Sequence, residues 1–203
     1  MWQPQVDTLG QDFDLLVPDL GDTRPEGRFW VERAADAVAD LIAALPGGGR
    51  AAVCGISLGA FVALEVAARH PDRVETLVLS GGQTRPGRLL LTLNYALLNL
   101  LPSRVLVPDG GSRRALLASY RSLFGWDSRA LLGRVRAPTL VLVGGRDRAN
   151  APAGRELAAG IPGAELRTVP GAGHLWNVTH AEEFDRTLRE FLARIPSPPP
   201  PPS

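Results

Sequence analysis

Hydrophobic residues along this chain are grouped in two ways, as short strand-like runs and as stripes with helical spacing. The segments predicted as strands are 13–17, 51–54, 74–79, 139–143 and 165–169. The segments predicted as helices are 1–10, 29–45, 61–69, 152–159 and 180–194. Strands that alternate with helices favour parallel pairing with right-handed crossovers, so the pattern predicts a layered α/β fold with a mostly parallel sheet.

One long segment interrupts this alternation. Residues 83–137 contain two leucine-rich helical runs, 85–101 and 112–124, with no strand predicted between them. Because they follow the carboxyl end of a strand, we interpret them as a helical cap inserted over that edge of the sheet; two ordinary packing helices are the alternative. The predicted domain organisation is a first core segment (1–82), the cap (83–137), a second core segment (138–195) and an extended, proline-rich tail (196–203).

Composition narrows the classes of partner. The chain has 22 basic and 21 acidic residues and a net charge of +1, without a basic stripe, so a nucleic-acid partner is not expected. The longest apolar tract, 89–101, is shorter than the roughly 20 residues of a membrane span. No secretory signal pattern opens the sequence, which makes the cytoplasm the expected location. Cys54 is the sole cysteine, which excludes a disulfide framework and a multi-cysteine metal site; a small buried hydrophobic role is expected for it.

The strand at 51–54 leads into Gly55-Ile56-Ser57-Leu58-Gly59, and a helical run follows directly. A serine in such a strand-to-helix turn has a strained backbone that lifts its hydroxyl clear of the sheet. The two glycines are expected to leave space where a Cβ would crowd neighbouring elements. The helix that follows directs its first N–H groups, that of Leu58 among them, towards an anion beside the serine. Ser57 is therefore the candidate nucleophile, with an accidental motif match as the alternative.

A serine nucleophile needs a base, and the base needs a third group to orient it. His174 ends a glycine-rich loop after the last predicted strand, at the sheet edge that presents Ser57. His70 and His180 lie at helix boundaries, where a stop signal and a polar surface position are the better interpretations. His174 is the candidate base.

Asp147 is the candidate orienting acid because it follows the strand predicted at 139–143. An ion pair with Arg146 or Arg148 is the alternative role for this side chain. Asp109 and Asp127 are weaker candidates for the acid.

Together these motifs resemble the α/β-hydrolase superfamily, and within it the lidded esterases, lactonases and peptidase-like members; the chain order Ser, Asp, His is also theirs. The resemblance implies a three-layer α/β-hydrolase fold with Ser57 as nucleophile, Asp147 as acid and His174 as base. It further implies an acyl-enzyme intermediate hydrolysed by water, without cofactor or metal. A serine at this turn argues against the haloalkane dehalogenases. The resembling segments are 17–20, 55–59, 77–81, 137–147 and 170–174.

Two departures from the family pattern stand out. Family members begin with further strands, one of which ends in a His-Gly loop that donates a second oxyanion N–H, whereas Met1-Trp2-Gln3-Pro4 resembles the segment after that loop. We therefore expect an N-terminally truncated core that lacks a strand between 13–17 and 51–54 and keeps Leu58 N–H as oxyanion donor. Loss of one donor typically costs about 10²- to 10³-fold in rate. The family's Gly-His-Gly turn is also replaced, at 21–24.

The expected function is a serine hydrolase that acts on an ester or related acyl bond of a small, mostly apolar substrate held under the cap. Ile56 and Trp176 are the candidate pocket residues, although a core aromatic is an equally good interpretation of Trp176. The alternative is a non-catalytic, truncated hydrolase-like protein that binds a ligand or a partner. Acyl transfer, perhydrolysis and carbon–carbon bond hydrolysis would use the same three residues.

Overall fold

A computed structural model of the chain describes residues 1–20, 29–46, 49–102 and 112–195. Its helices are α1 (Gln3–Leu9), α2 (Val31–Ala43), α3 (Leu58–Arg69), α4 (Arg88–Leu100), α5 (Arg113–Ser122), α6 (Ala151–Gly160), α7 (Trp176–Thr179) and α8 (Ala181–Leu192). Its strands are β1 (Ala51–Ile56), β2 (Val74–Ser80), β3 (Thr139–Gly144) and β4 (Glu165–Val169). Two short 3₁₀ helices lie at Pro71–Arg73 and Arg129–Arg134.

The four strands form one sheet in the order β1-β2-β3-β4, and each neighbouring pair is parallel. The predicted α/β class with parallel pairing is therefore confirmed. Because all four strands point the same way, the segments that follow them emerge at one edge of the sheet. The residues after β1, β2, β3 and β4 are thereby placed on a common rim.

Alternate residues of the central strands face two separate cores. Leu77, Leu79 and Val141 pack with α2, α3 and α6 on one face. On the other face the sheet packs with α1, α7 and α8, through a buried set that comprises Leu9, Ile56, Val78, Leu140, Leu142, Val169, Ala172, Trp176, Phe184, Leu188 and Phe191. Successive strand side chains point to opposite faces, so a strand that is apolar at nearly every position requires helices on both sides. The result is three layers, helix–sheet–helix.

The strand predicted at 13–17 is wrong. These residues have no regular secondary structure, and the side chains of Phe13, Leu15, Leu16 and Val17 are between 38% and 52% exposed. An apolar run becomes a strand only where a neighbouring strand supplies hydrogen bonds and a packing face. Within the described residues, β1 is the outermost strand at its end of the sheet and no strand pairs with 13–17.

The remaining predicted elements are present, with shifted ends. The helix predicted at 29–45 begins at Val31 and ends at Ala43, and Trp30 and Leu41 of its expected apolar stripe are exposed. The segment 21–28, which includes the replaced turn at 21–24, lies outside the described residues, as do the predicted tail at 196–203 and Asp109. Over the part of the chain that the structure describes, no helix combines the length and apolarity needed to cross a bilayer.

Within its described residues the segment 83–137 contains α4, α5 and the 3₁₀ helix Arg129–Arg134, with no strand, and α4 packs against α5. Its two ends meet, because Thr84 O accepts hydrogen bonds from Ser128 N at 2.9 Å and from Ser128 Oγ at 3.1 Å. Both residues are buried. The segment therefore leaves and rejoins the core at one place, while its role as a cap stays a prediction.

Candidate active site

Ser57 lies at the junction of β1 and α3. Its backbone adopts φ 53° and ψ −118°, and it is the sole non-glycine residue with positive φ in the described ranges. Such a conformation costs a residue with a Cβ about 1–3 kcal/mol and persists where the surroundings hold it. Here β1 holds one side of the turn and α3 the other, and Ser57 N donates to Ser80 O of β2 at 2.9 Å. The strained turn expected from the sequence is present.

The two glycines beside Ser57 differ in what they avoid. A Cβ on Gly55 would collide with the backbone of Gly59 and lie 2.7 Å from Ala60 N, so the first turn of α3 requires a glycine there. A Cβ on Gly59 would have nothing within 4 Å among the described residues. The prediction that both glycines relieve crowding is therefore right for Gly55 and wrong for Gly59, whose Cβ direction points into open space.

Leu58 is the first residue of α3, and its N–H has no carbonyl one turn earlier in the helix. The helix's own bonding around Ser57 begins with Ala60 N, which donates to Ser57 O at 2.9 Å. The N-terminal end of a helix carries partial positive charge. An anion beside Ser57 would therefore meet an unpaired donor and a favourable dipole.

Asp147 and His174 are in direct contact. His174 Nδ1 lies 2.7 Å from Asp147 Oδ2, with the Asp147 side chain 7% exposed and that of His174 37% exposed. A carboxylate can only accept, so Nδ1 carries the proton and Nε2 is left bare to accept another. The alternative for Asp147, an ion pair with a neighbouring arginine, is not what the structure shows. His174 is its hydrogen-bond partner.

The loops that carry these two residues are held together by their backbones. Arg146 N donates to Ala172 O at 2.9 Å, and Gly145 N donates to Val169 O at 2.7 Å. A Cβ on Gly144 would collide with the Gly173 carbonyl and lie 2.6 Å from Ala172 O. The close approach of the loop after β3 to the loop after β4 therefore depends on glycine at the end of β3.

Gly81 lies between Ser57 and His174 at the same edge. It follows Ser80, the partner of Ser57 N, and has φ +60°. A Cβ on Gly81 would lie 2.7 Å from His174 Cε1 and 2.9 Å from Nδ1. The imidazole thus packs directly on the backbone that follows β2. The structure brings Asp147 and His174 into hydrogen-bond contact and places Ser57 at the same edge of the sheet. Among the described residues, the side-chain hydrogen bond of His174 is with Asp147 and not with Ser57.

Two residues of the site were missed by the sequence analysis. Asn150 Nδ2 lies 2.8 Å from Asp147 Oδ1, 2.9 Å from Oδ2 and 3.2 Å from His174 Nδ1. Gln83 Nε2 donates to Asn150 Oδ1 at 2.6 Å. The position of Asn150, three residues after the candidate acid and just before α6, was a usable signal. Gln83 is 67 positions away from Asn150 in the chain, and no local pattern marks it.

The other candidates have different partners. His70 Nε2 lies 2.8 Å from Asp36 Oδ1, and His180 Nδ1 lies 2.9 Å from Thr179 Oγ1 on the surface. Asp127 forms a fork of hydrogen bonds with Arg129, which lowers the pKa of Asp127 to about 2. These residues therefore serve local surface contacts.

Ile56 and Trp176 lie in the core that faces α8. Both are buried, and Trp176 Nε1 donates to Ser80 Oγ at 3.0 Å while its ring meets Phe184 edge-on. This burial favours the core role that the sequence left open for Trp176, and neither residue presents surface to a pocket. Desolvation raises the pKa of Cys54 to about 12, so its thiol stays protonated at neutral pH. In the described ranges, no group of three or more histidine, cysteine, aspartate or glutamate side chains is placed to hold a metal ion.

Comparison with known proteins identifies a family and two similar enzymes. Residues 1–187 match the model of the alpha/beta hydrolase family. A pimeloyl-[acyl-carrier protein] methyl ester esterase of Chromobacterium violaceum is 34% identical over 78% of this chain and 76% of its own length. A putative carbamate hydrolase, RutD, of Serratia proteamaculans is 30% identical over 95% of this chain and 86% of its own length.

Solved structures resemble the chain over nearly its whole length. The enol-lactonase from Burkholderia xenovorans LB400 superposes with a TM-score of 0.79 and 26% identity, covering 95% of this chain and 86% of its own. A thermophilic esterase from Thermogutta terrifontis superposes with a TM-score of 0.80 and 25% identity, covering 97% of this chain and 85% of its own. The similarity therefore extends through the sheet and both segments of the core.

Proposed function

This chain belongs to the alpha/beta hydrolase family, and we propose that it is a serine hydrolase that cleaves an ester or related acyl bond through Ser57, His174 and Asp147. Its named relatives are esterases, a carbamate hydrolase and a lactonase, which supports hydrolase activity for this chain. The observation that carries the finer proposal is the 2.7 Å contact between His174 Nδ1 and Asp147 Oδ2. It leaves Nε2 free to accept a proton at the edge where Ser57 lies in its strained turn.

The proposed reaction has two halves. Ser57 Oγ attacks the substrate carbonyl while His174 Nε2 takes its proton, and Asp147 stabilises the imidazolium that forms. The resulting oxyanion lies beside the N-terminus of α3, where Leu58 N–H is available as a donor. Collapse of this intermediate breaks the acyl bond, and the leaving group departs with the proton from His174. Water, deprotonated by His174, then attacks the acyl-enzyme. The bond between the acyl carbon and Ser57 Oγ breaks, Oγ takes the proton from His174, and the acid is released.

The proposed substrate is a small acyl compound. The reactions named for the relatives, on a methyl ester, a carbamate and an enol lactone, share a carbonyl carbon bonded to a departing heteroatom. The leucine-rich segment 83–137 favours a mostly apolar acyl group, and no cofactor is required for this chemistry. If an acceptor other than water attacks the acyl-enzyme, the same residues carry out acyl transfer.

The test combines a rate with a covalent label. Purified protein is assayed on p-nitrophenyl acetate, butyrate and octanoate and treated with a fluorophosphonate probe, alongside Ser57→Ala. Ser122→Ala is the matched control, because Ser122 Oγ donates to Ser119 O within α5. We expect labelling and turnover in the wild type and in Ser122→Ala, and neither in Ser57→Ala. Labelling that persists in Ser57→Ala would contradict the proposal.

A non-catalytic binding protein is the second candidate, and one observation favours it. Among the described residues, the side-chain hydrogen bond of His174 connects it to Asp147 and not to Ser57. A folded wild-type protein that is neither labelled nor active on any of the three esters would support this candidate.

A further inference from the structure

Four side chains form a continuous line of contacts at the rim of the sheet. The line runs from His174 to Asp147 at 2.7 Å, from Asp147 to Asn150 at 2.8 and 2.9 Å, and from Asn150 to Gln83 at 2.6 Å. Asn150 and Asp147 are buried and Gln83 is half-buried. The line therefore extends from the candidate base to the first residue of the helical segment.

The direction of each hydrogen bond in this line follows from the carboxylate at its centre. An ionised carboxylate has no donor, so the Asn150 atom in contact with both Asp147 oxygens must be the amide nitrogen. The amide oxygen of Asn150 then points away from Asp147 and can only accept. Gln83 must in turn present its own amide nitrogen. Donation thus runs from Gln83 to Asn150 and from Asn150 to Asp147.

The contact with Asn150 removes a freedom that a lone aspartate would have. Rotation about the Cβ–Cγ bond of aspartate is soft and broad, so packing of the Cβ does not fix where each oxygen points. Asn150 Nδ2 contacts both oxygens, at 2.8 and 2.9 Å, while His174 Nδ1 contacts Oδ2 at 2.7 Å. Two donors at different positions together hold the carboxylate in the orientation in which Oδ2 faces His174 Nδ1.

Gln83 occupies a part of the chain that is itself held in place. It follows Gly81 and Gly82 at the end of β2, and the next residue, Thr84, accepts two hydrogen bonds from Ser128. The start of the segment 83–137 is therefore held in place by hydrogen bonds, and Gln83 contacts Asn150 from a constrained backbone.

We propose that Asn150 is a positioning residue that orients the Asp147 carboxylate towards His174, and that Gln83 acts through Asn150 by fixing the orientation of its amide. The proposal rests on the proposed roles of Asp147 and His174. Through these contacts, the orientation of the Asp147 carboxylate depends on Gln83, at which the segment 83–137 begins. Neither residue is required to touch the substrate.

Kinetics of substituted proteins give the first test. Because misplacement of a catalytic group costs on the order of 10²-fold, Asn150→Ala should lower kcat roughly 10- to 100-fold while KM stays within about twofold. Gln83→Ala should lower kcat less. If Gln83 acts through Asn150, the double variant should be no slower than Asn150→Ala alone. Matched controls are Gln3→Ala and Gln11→Ala, whose exposed amides bond to Asp7 near α1, away from the site.

Reversal of a bond's direction gives a sharper comparison. In Gln83→Glu the new carboxylate can only accept, so the Asn150 amide must turn its nitrogen towards Glu and its oxygen towards Asp147. We expect Gln83→Glu to lower kcat more than Gln83→Ala does, although its size is closer to the original. Equal kcat for the two variants, or a multiplicative loss in the double variant, would overturn the role assigned to Gln83.

Proton NMR of the free protein gives a readout that does not require turnover. The His174 Nδ1 proton, held between nitrogen and carboxylate, should give a far-downfield resonance in the wild type and in both controls. It should broaden or vanish in Asn150→Ala and in Gln83→Glu, with thermal unfolding used to show that each variant is folded. A resonance retained in both variants would overturn the proposal, as would unchanged kcat in Asn150→Ala. If the wild type is inert towards esters and fluorophosphonate but these NMR changes occur, the proposed function fails and the positioning role stands.

Discussion

The sheet rim and the helix α4 both have clear sequence patterns, but they differ in how closely other parts of the chain pack against them. At the rim, Gly81, Asp147 and His174 come within contact distance from three separate loops. Along α4, leucines at helical spacing face outward with exposures between 55% and 82%: Leu89, Leu93, Leu97 and Leu100. Leucine content predicts a helix, but burial requires a neighbour. The rim has parallel strands that enforce proximity, whereas the described contacts of α4 are chiefly with α5.

The difference has a simple physical origin. Backbone hydrogen bonds between parallel strands fix register, so a turn after one strand has a defined distance to the turn after the next. A helix satisfies its own backbone hydrogen bonds and is located only by side-chain packing. Part of the packing of α4 is local, as where the ring of Tyr95 meets that of Phe124 edge-on with centroids 6.2 Å apart. Four predictions, each made with a pair of substitutions, test this comparison.

The largest effect is expected at the base of the proposed triad. His174→Ala should reduce ester hydrolysis by about 10⁴- to 10⁶-fold, because loss of the base disables the nucleophile as well. His180→Ala is the control, since His180 is exposed and contacts Thr179. The measurement is kcat/KM on p-nitrophenyl butyrate. A similar loss in both variants would mean that the rim holds no special histidine.

Substitution of a core leucine should lower the free energy of unfolding by several kcal/mol more than substitution of an exposed leucine on α4. Leu79→Ala removes a fully buried side chain of β2 and should lower the free energy of unfolding by about 2–5 kcal/mol. Leu97→Ala, at 55% exposure on α4, should change it by about 0.5 kcal/mol or less. Urea denaturation measures both. Equal losses would indicate that α4 is covered as completely as β2 and would break the comparison.

Alanine substitutions at Gly81 and Gly125 distinguish the effect of backbone strain from the effect of contact with His174. Both have positive φ, so alanine at either should cost about 1–2 kcal/mol of stability. Only at Gly81 does the new Cβ meet His174, and the displaced imidazole should lower kcat by roughly 10²-fold. Gly125→Ala should leave kcat near the wild-type value, because nothing described lies within 4 Å of its Cβ. Equal kcat for the two would show that the imidazole is not held by Gly81.

The smallest effect concerns a contact between α3 and the segment 83–137. Trp126 Nε1 donates to Glu65 Oε1 at 3.1 Å, and burial raises the pKa of Glu65 above its ordinary value of 4.5. A raised pKa favours the folded state at low pH and costs stability as pH rises through the folded-state pKa. Glu65→Gln keeps the acceptor for Trp126 and removes the charge.

The stability of Glu65→Gln relative to the wild type should therefore increase between pH 4.5 and pH 8. Urea unfolding at both pH values measures the change, and Glu156→Gln, at an exposed position on α6, is the control. A difference that is the same at both pH values would mean that the buried charge at Glu65 does not limit stability.

Much of the fold followed from local pattern. The four strands of the sheet and the helices between them lie where hydrophobic spacing predicted, because a strand or helix buried on one or both faces needs that spacing. The segment 13–17 has an equally apolar pattern and is not a strand. Its pattern carries no information on whether a neighbouring strand is present to pair with it.

The candidate site divides in the same way. Ser57 was recognisable because its strained turn depends on residues within two positions, and Asp147 and His174 because each follows a predicted strand. Asn150 lies three residues after Asp147 and could have been found from that spacing. The contribution of Gln83 could not, since a hydrogen bond across 67 positions leaves no periodic pattern in the sequence. The expected pocket role of Trp176 likewise gave way to a buried contact with Phe184 and Ser80.

The sequence by itself determined the α/β class, the strained serine turn and the order of the candidate triad, because these depend on neighbours along the chain. The tertiary structure alone decided which apolar segments are paired or covered, which aromatic side chain is core, and how the Asp147 carboxylate is held. These properties depend on distances between residues far apart in sequence, and such distances exist only once the parallel strands have aligned their ends.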